Sequence, residues 1–207
     1  MEVRDRILAK ADELFSRFGI RSVSMDDIAA ALGMSKKTLY LSFADKEDLV
    51  DAVFNCVLNE HRAVCLADQK RADNAVHEVY LAFDMMNEMF AQLNPVVIFD
   101  LEKYHPVIYK KIHHFKYDFL YQIIKRNIEW GVKEELYRSE LDVDIMTRYR
   151  IANIMLPFDS TAFPSNRTQL IHIEQQVLEH FLYGISTTRG QRLIEKYKRQ
   201  RIKLKAS

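Results

Sequence analysis

The chain has 207 residues, 48% of them apolar, and a formal net charge of +1. That supplies a substantial core and excludes attachment to nucleic acid or membrane by bulk charge alone. Two cysteines exclude a disulfide scaffold, and no run of about 18 apolar residues offers a membrane span.

A first helix over 2–18 carries Ile7, Leu8, Leu14, Phe15 and Phe18 at helical spacing and ends at Gly19. It follows Met1 directly, with no signal-peptide core, so a cytoplasmic location with reduced thiols is expected. Ser24 caps a short helix over 25–32, and Asp27 three residues on answers it as a capping box. Ile28, Ala29 and Leu32 share one face, Ala29 being small where two helices must cross closely. Gly33 sits at the turn, where positive φ favours a residue without Cβ. Ser35 caps a second short helix over 36–42, with Met34 and Leu39 on its apolar side. Lys36, Lys37, Thr38 and Tyr40 remain outward. Two capped helices around a tight turn, with a polar cationic outer face, are the arrangement that lays a second helix in the DNA major groove. An ordinary helical hairpin shares the turn but not this conjunction.

With Phe43 and Asp45-Lys46-Glu47-Asp48-Leu49, the stretch from Val3 to Phe54 resembles the N-terminal domain of the tetracycline-repressor (TetR) family without a gap. Leu41 and Ala44 depart from the pattern, which often has an aromatic or polar residue at the first position and a proline or other small residue at the second. Beyond residue 60 the resemblance is one of architecture and length. It implies a dimeric transcriptional regulator, commonly a repressor released from double-stranded DNA by a small molecule. Lys36, Lys37 and Thr38 are expected at base edges, Ser24, Tyr40, Ser42 and Lys46 at phosphates, with Ser35 beside them as the helix cap. Residues 1–50 hold eight Lys/Arg against nine Asp/Glu, but 33–46 hold three Lys against one Asp. Local potential rather than net charge has to carry the contact.

The rest of the chain reads as helical. Asp45 and Asp48 open a helix over 46–67 that links two domains, 1–46 for DNA and 47–207 for ligand binding and dimerisation. Polar residues 68–74 mark a connection. Helices follow over 75–93, 95–103 and 107–136, with Gly131 expected to bend or weaken the last. Another starts at Asp142 or Asp144 and stops near Pro157, a loop covers 160–166, and a helix spans 167–185. Thr187–Gly190 separates a C-terminal helix with a basic outer face, eight Lys/Arg against one Glu over 189–205, read as a solvated surface or a second nucleic-acid contact. The fold expected is all-α: a three-helix head and a helical-bundle effector domain.

Enzyme chemistry finds no motif: no phosphate loop, no nucleophile elbow, no Cys-x-x-Cys, and no cofactor or metal set. His113 and His114 diverge on a helix, and His172 and His180 stand about 12 Å apart, so ordinary histidines are the reading. Cys56 and Cys65 would lie about 13 Å apart on one helix, too far to bridge, which leaves a thiol switch across a dimer as the redox alternative. Met86, Met89 and Phe90 on one helix, with Phe99, Tyr104, His113, Tyr117 and Tyr121 from the next two, are expected to enclose an apolar or aromatic effector. The family resemblance places the homodimer interface on the two helices before the last. Ile145, Tyr149, Val177, Leu178, Phe181 and Leu182 are candidates there, though some could face the protomer core. The alternatives are a DNA-binding protein governed by a protein partner or by nothing, and a helical enzyme with an incidental helix-turn-helix.

Overall fold

The computed structural model describes residues 2–159, 161–163 and 167–206. Of the loop expected over 160–166, Ser160 and Pro164, Ser165 and Asn166 lie outside them. The described chain is all-α. Its head consists of α1 (Val3–Phe18), α2 (Met25–Ala31) and α3 (Lys36–Ser42). Then come α4 (Lys46–Arg71), α5 (Ala75–Gln92), α6 (Val96–Tyr104), α7 (Pro106–His114) and α8 (Tyr121–Lys133). The C-terminal helices are α9 (Val143–Ile154), α10 (Arg167–Ile185) and α11 (Thr188–Ala206).

Local chemistry starts these helices where the sequence predicts. Ser24, Ser35, Asp45, Asn74 and Asp142 each accept the backbone N–H three residues on, satisfying a donor that the helix leaves orphaned. Three boundaries differ. α4 continues to Arg71 rather than ending at 67, because Asp68 turns inward, 3% exposed, and pairs with Arg71 Nε at 2.8 Å. The connection shrinks to Ala72–Asn74. The helix expected over 107–136 instead changes pitch through a π-helical segment, Phe115–Leu120, between α7 and α8. That segment separates a part buried in one core, at Ile108, from a part buried in another, at Ile128. Finally, α8 ends at Lys133 rather than at 136, two residues past Gly131. The Tyr137 ring lies where its Cβ would be, 2.0 Å away, and the Gly131 carbonyl accepts the N–H groups of Leu136 and Tyr137. Glycine is needed there for close approach. The chain after α8 then meets the α10–α11 turn in an isolated antiparallel bridge, Tyr137 with Ser186.

Two hydrophobic cores result. The second gathers Val76, Phe83, Ile128, Tyr137, Leu178, Phe181, Leu182 and Ile194 from the C-terminal bundle. The first holds Ile7, Phe15, Ile28, Leu39, Phe43, Leu49 and Val53 of the head, and with them Val97 and Leu101 of α6 and Ile108 of α7. Burying a Val, Leu or Ile side chain is worth about 1.5–3 kcal/mol, against about 0–1 for a surface ion pair. Apolar packing therefore welds α6 and α7 to the head, and the polar contacts between them set its angle.

Candidate nucleic-acid interface

The capping box at α2 closes fully. Asp27 N donates to Ser24 Oγ at 3.1 Å, and Ser24 N donates to Asp27 Oδ2 at 2.8 Å. The Ser24 hydroxyl and backbone N–H hold the Asp27 carboxyl below its usual value. Gly33 turns the chain at φ +62°, after which Ser35 Oγ accepts Thr38 N at 3.1 Å and starts α3. Leu39 is wholly buried, so it fixes the rotation of α3 about its axis. Lys36, Lys37, Tyr40 and Leu41 stand exposed, with Thr38 and Ser42 half-buried at the side.

Several of the expected contact residues have local engagements of their own. Lys36 Nζ donates to Asp26 Oδ2 at 2.5 Å, and that bond and charge hold its ammonium above the ordinary value. Ser35 Oγ also shares a hydrogen bond with Thr38 Oγ1 at 2.9 Å. Tyr40 is 49% exposed. Ser42 offers its carbonyl to Arg4 Nη1 at 3.2 Å, while the Arg4 guanidinium lies over the Phe43 ring. Lys46 reaches back to the Arg21 carbonyl at 3.5 Å, and burial lowers its ammonium pKa. Arg4 and Asp26 are the residues that sequence reasoning missed. Both act through contacts 38 and 10 residues away, which periodicity does not reveal.

The expected effector wall is only partly assembled. Met86 and Met89 are half-buried, and Phe90 is buried with its ring edge-on to Phe158, centroids 5.0 Å apart. The other five are corrected. Phe99 is 52% exposed with its ring edge-on to Tyr104, and Tyr104 receives Arg21 Nη1 of the head on its hydroxyl at 3.1 Å. His113 and Tyr117 stack on each other on the surface, and the Tyr121 hydroxyl donates to Asp144. The reason is the docking of α6 and α7: α7 packs against α4 and α6, whereas α5 packs against α4, α8, α10 and α11. A surface groove of about 640 Å³ lies at α10 and α11, where Tyr183, Arg192, Glu195, Lys196 and Arg199 are among its lining residues.

The dimer candidates separate likewise. Leu178, Phe181 and Leu182 lie in the protomer's own second core, the alternative that the sequence left open for some of the candidates. Ile145, 57% exposed, and Tyr149, 46% exposed, face out from α9, and Val177 is half-buried on α10. The C-terminal helix is docked: Ile194 and Tyr197 are buried, and the Tyr197 hydroxyl accepts Asn74 Nδ2 at 2.9 Å. Cys56 is exposed, and burial pushes the Cys65 thiol up to about 11.

Comparison with known proteins bears directly on the head. Residues 7–53 match the family described as bacterial regulatory proteins, tetR family. That match makes the head of the chain, residues 7–53, a TetR-type N-terminal domain. An HTH-type transcriptional regulator of Staphylococcus aureus is 27% identical over 191 residues, 89% of this chain and 92% of its own length. The uncharacterized HTH-type regulator YvaF of Bacillus subtilis is 33% identical over 101 residues, 48% of this chain and about half, 53%, of that protein. A transcriptional regulator from Cytophaga hutchinsonii shares the fold at a TM-score of 0.71 and 20% identity, over 88% of this chain and 98% of the other. The capped turn and α3 both lie within the segment that matches the family.

Proposed function

We propose that the chain is a cytoplasmic, homodimeric repressor that holds a palindromic operator through α3 and leaves it when a small, mainly apolar molecule enters the C-terminal bundle. The observation that carries the DNA half is the rotation of α3. Buried Leu39 turns Lys36, Lys37 and Tyr40 outward together from a helix capped at its N-terminus. Ser24, Ser35, Thr38, Ser42 and Lys46 flank that face. One such module makes too few contacts to find a genomic site. Two modules about 34–36 Å apart read successive major grooves. Ile145 and Tyr149, with Val177 beside them, form the dimer face.

The effector reading rests on the middle of α5. Tyr197 stacks on His77, Arg201 Nε bonds Asp84 at 2.8 Å, and Lys198 bonds Glu179 at 3.0 Å. α11 thus ties α5 to α10, and α5 also packs directly on α10, the helix that carries Glu174. Arg150 Nη2 donates to Glu174 Oε1 at 2.7 Å, both residues being buried. Arg150 Nη1, Glu174 Oε2 and Asn87 Oδ1 have no partner among the described residues. Half-buried Met86 and Met89 stand either side of Asn87 along α5. The guest has an apolar body and one hydrogen-bonding group. It acts by preferring the arrangement of α6 and α7 in which the two heads no longer match the DNA, a coupling typically of 1–3 kcal/mol.

The test selects duplexes from a randomised pool with the full chain, then screens aromatic and fatty-acyl compounds. A palindrome should be enriched, and a compound that raises Tm should weaken its binding. Absence of enrichment overturns the operator reading. Compounds that stabilise without weakening DNA binding overturn the release mechanism.

A further inference from the structure

Leu41 is 79% exposed, more than any other large apolar side chain among the described residues. Single exposed leucines are ordinary on a protein surface, so its position has to decide. At 3.6 residues per turn, Lys37 and Leu41 both fall about 160° from buried Leu39, one on each side of the direct outward line. Tyr40 and Lys36 lie to one flank, Thr38 and Ser42 to the other. The centre of the outward face is thus one ammonium and one isobutyl group, four residues apart and about 5–6 Å between Cβ atoms. Among the described residues, Leu41 is left largely open to solvent within the protomer.

In the major groove the one apolar feature that distinguishes base pairs is the C5-methyl group of thymine. An isobutyl group at the middle of the face has no hydrogen bond to give a phosphate, and opposite a guanine or cytosine edge it would strip water from polar groups without replacing it. Opposite a thymine methyl both surfaces leave water together. We infer that Leu41 is a specificity-determining residue that reads a thymine methyl in each half-site, within about two base steps of the pair that Lys37 approaches. This rests on α3 being the DNA-reading helix, as proposed above.

The experiment uses the full chain and the palindrome enriched from the randomised pool. Each thymine in the half-sites is replaced in symmetric pairs by deoxyuridine, which removes only the methyl group, and affinity is measured by fluorescence anisotropy. At one position the wild-type chain should lose about fourfold per half-site, about 15-fold for the symmetric pair. Leu41→Ala should lose less than about twofold there while keeping its response at every other thymine. Because Leu41 is exposed, its replacement should leave Tm unchanged. A second selection with Leu41→Gln should lose the thymine at that position and retain the remainder of the site. Equal deoxyuridine penalties in wild type and Leu41→Ala overturn the assignment, as does a site with no methyl-sensitive thymine. Failure to enrich any duplex overturns the DNA reading itself, and is distinguishable because neither protein then has a site.

Discussion

Asp100, buried on α6, accepts the backbone N–H of Arg21 at 2.9 Å. Arg21 lies in the turn between α1 and α2, so one carboxylate of α6 holds the loop that leads into the helix-turn-helix. Asn94 N adds a bond to the Ser16 carbonyl at 2.7 Å, and His105 Nδ1 pairs with Glu47 Oε2 at 2.5 Å. With Val97, Leu101 and Ile108 in the first core, these contacts make α6 and α7 the mechanical link to the head. Asp100→Ala leaves the Arg21 N–H unpaired and should lower stability by about 1–3 kcal/mol, with Asp100→Asn nearer wild type because it keeps an acceptor. Urea unfolding followed by circular dichroism measures both, and an Ala variant as stable as wild type would remove Asp100 from the link.

Asp26 competes for a cation on the face proposed to meet DNA. Its carboxylate holds Lys36 at 2.5 Å, on an exposed pair worth little to folding. Asp26→Asn should free Lys36 and remove one charge that repels phosphates. Operator affinity should tighten about two- to fivefold in dilute buffer, and the gain should fade as salt shortens the screening length. Weaker binding at every salt concentration would show that Asp26 positions Lys36 rather than restrains it.

The capping box predicts an acid response. Ser24 lowers the folded-state pKa of Asp27 below its ordinary value of 3.8. A depressed carboxyl contributes stability that is full above the unfolded pKa and is lost as pH falls through the folded one. Ser24→Ala should therefore reduce stability at neutral pH and flatten the loss on acidification below about pH 4. Urea midpoints from pH 7 to pH 3 test it. Parallel curves for the two proteins would mean that the bond does not shift Asp27.

The head was legible in sequence because its information is local. Ser24, Asp27, Gly33 and Ser35 act on backbone groups within a few residues, and Leu39 alone fixes the rotation of α3. The effector half was not, because helical periodicity says that a face is apolar without saying what covers it. Tyr104 follows the same spacing as the other candidates, yet α6 turns it toward the head, where it meets Arg21, more than 80 positions earlier. The π-helical turn has the same origin. It joins two parts of one helical run that pack on different cores, a relation between distant segments that no window along the chain contains.

The dimer interface carries the last prediction. A charge placed in the protomer core and one placed on the dimer face should behave differently, and the two sets of candidates allow the comparison. Leu178 is 2% exposed within the second core, so Leu178→Asp buries an unpaired charge, costs several kcal/mol and should unfold the chain. Ile145 is 57% exposed in the protomer, so Ile145→Asp can be solvated in a monomer and is penalised only where a partner covers it. Tyr149, stacked on Phe181 with centroids 6.2 Å apart, is the neighbouring position on that face. The expected result is a wild-type dimer at micromolar concentration and a folded Ile145→Asp monomer that binds single half-sites weakly. Sedimentation equilibrium with circular dichroism separates the cases. A dimer unaffected by Ile145→Asp and Tyr149→Asp would move the interface away from α9.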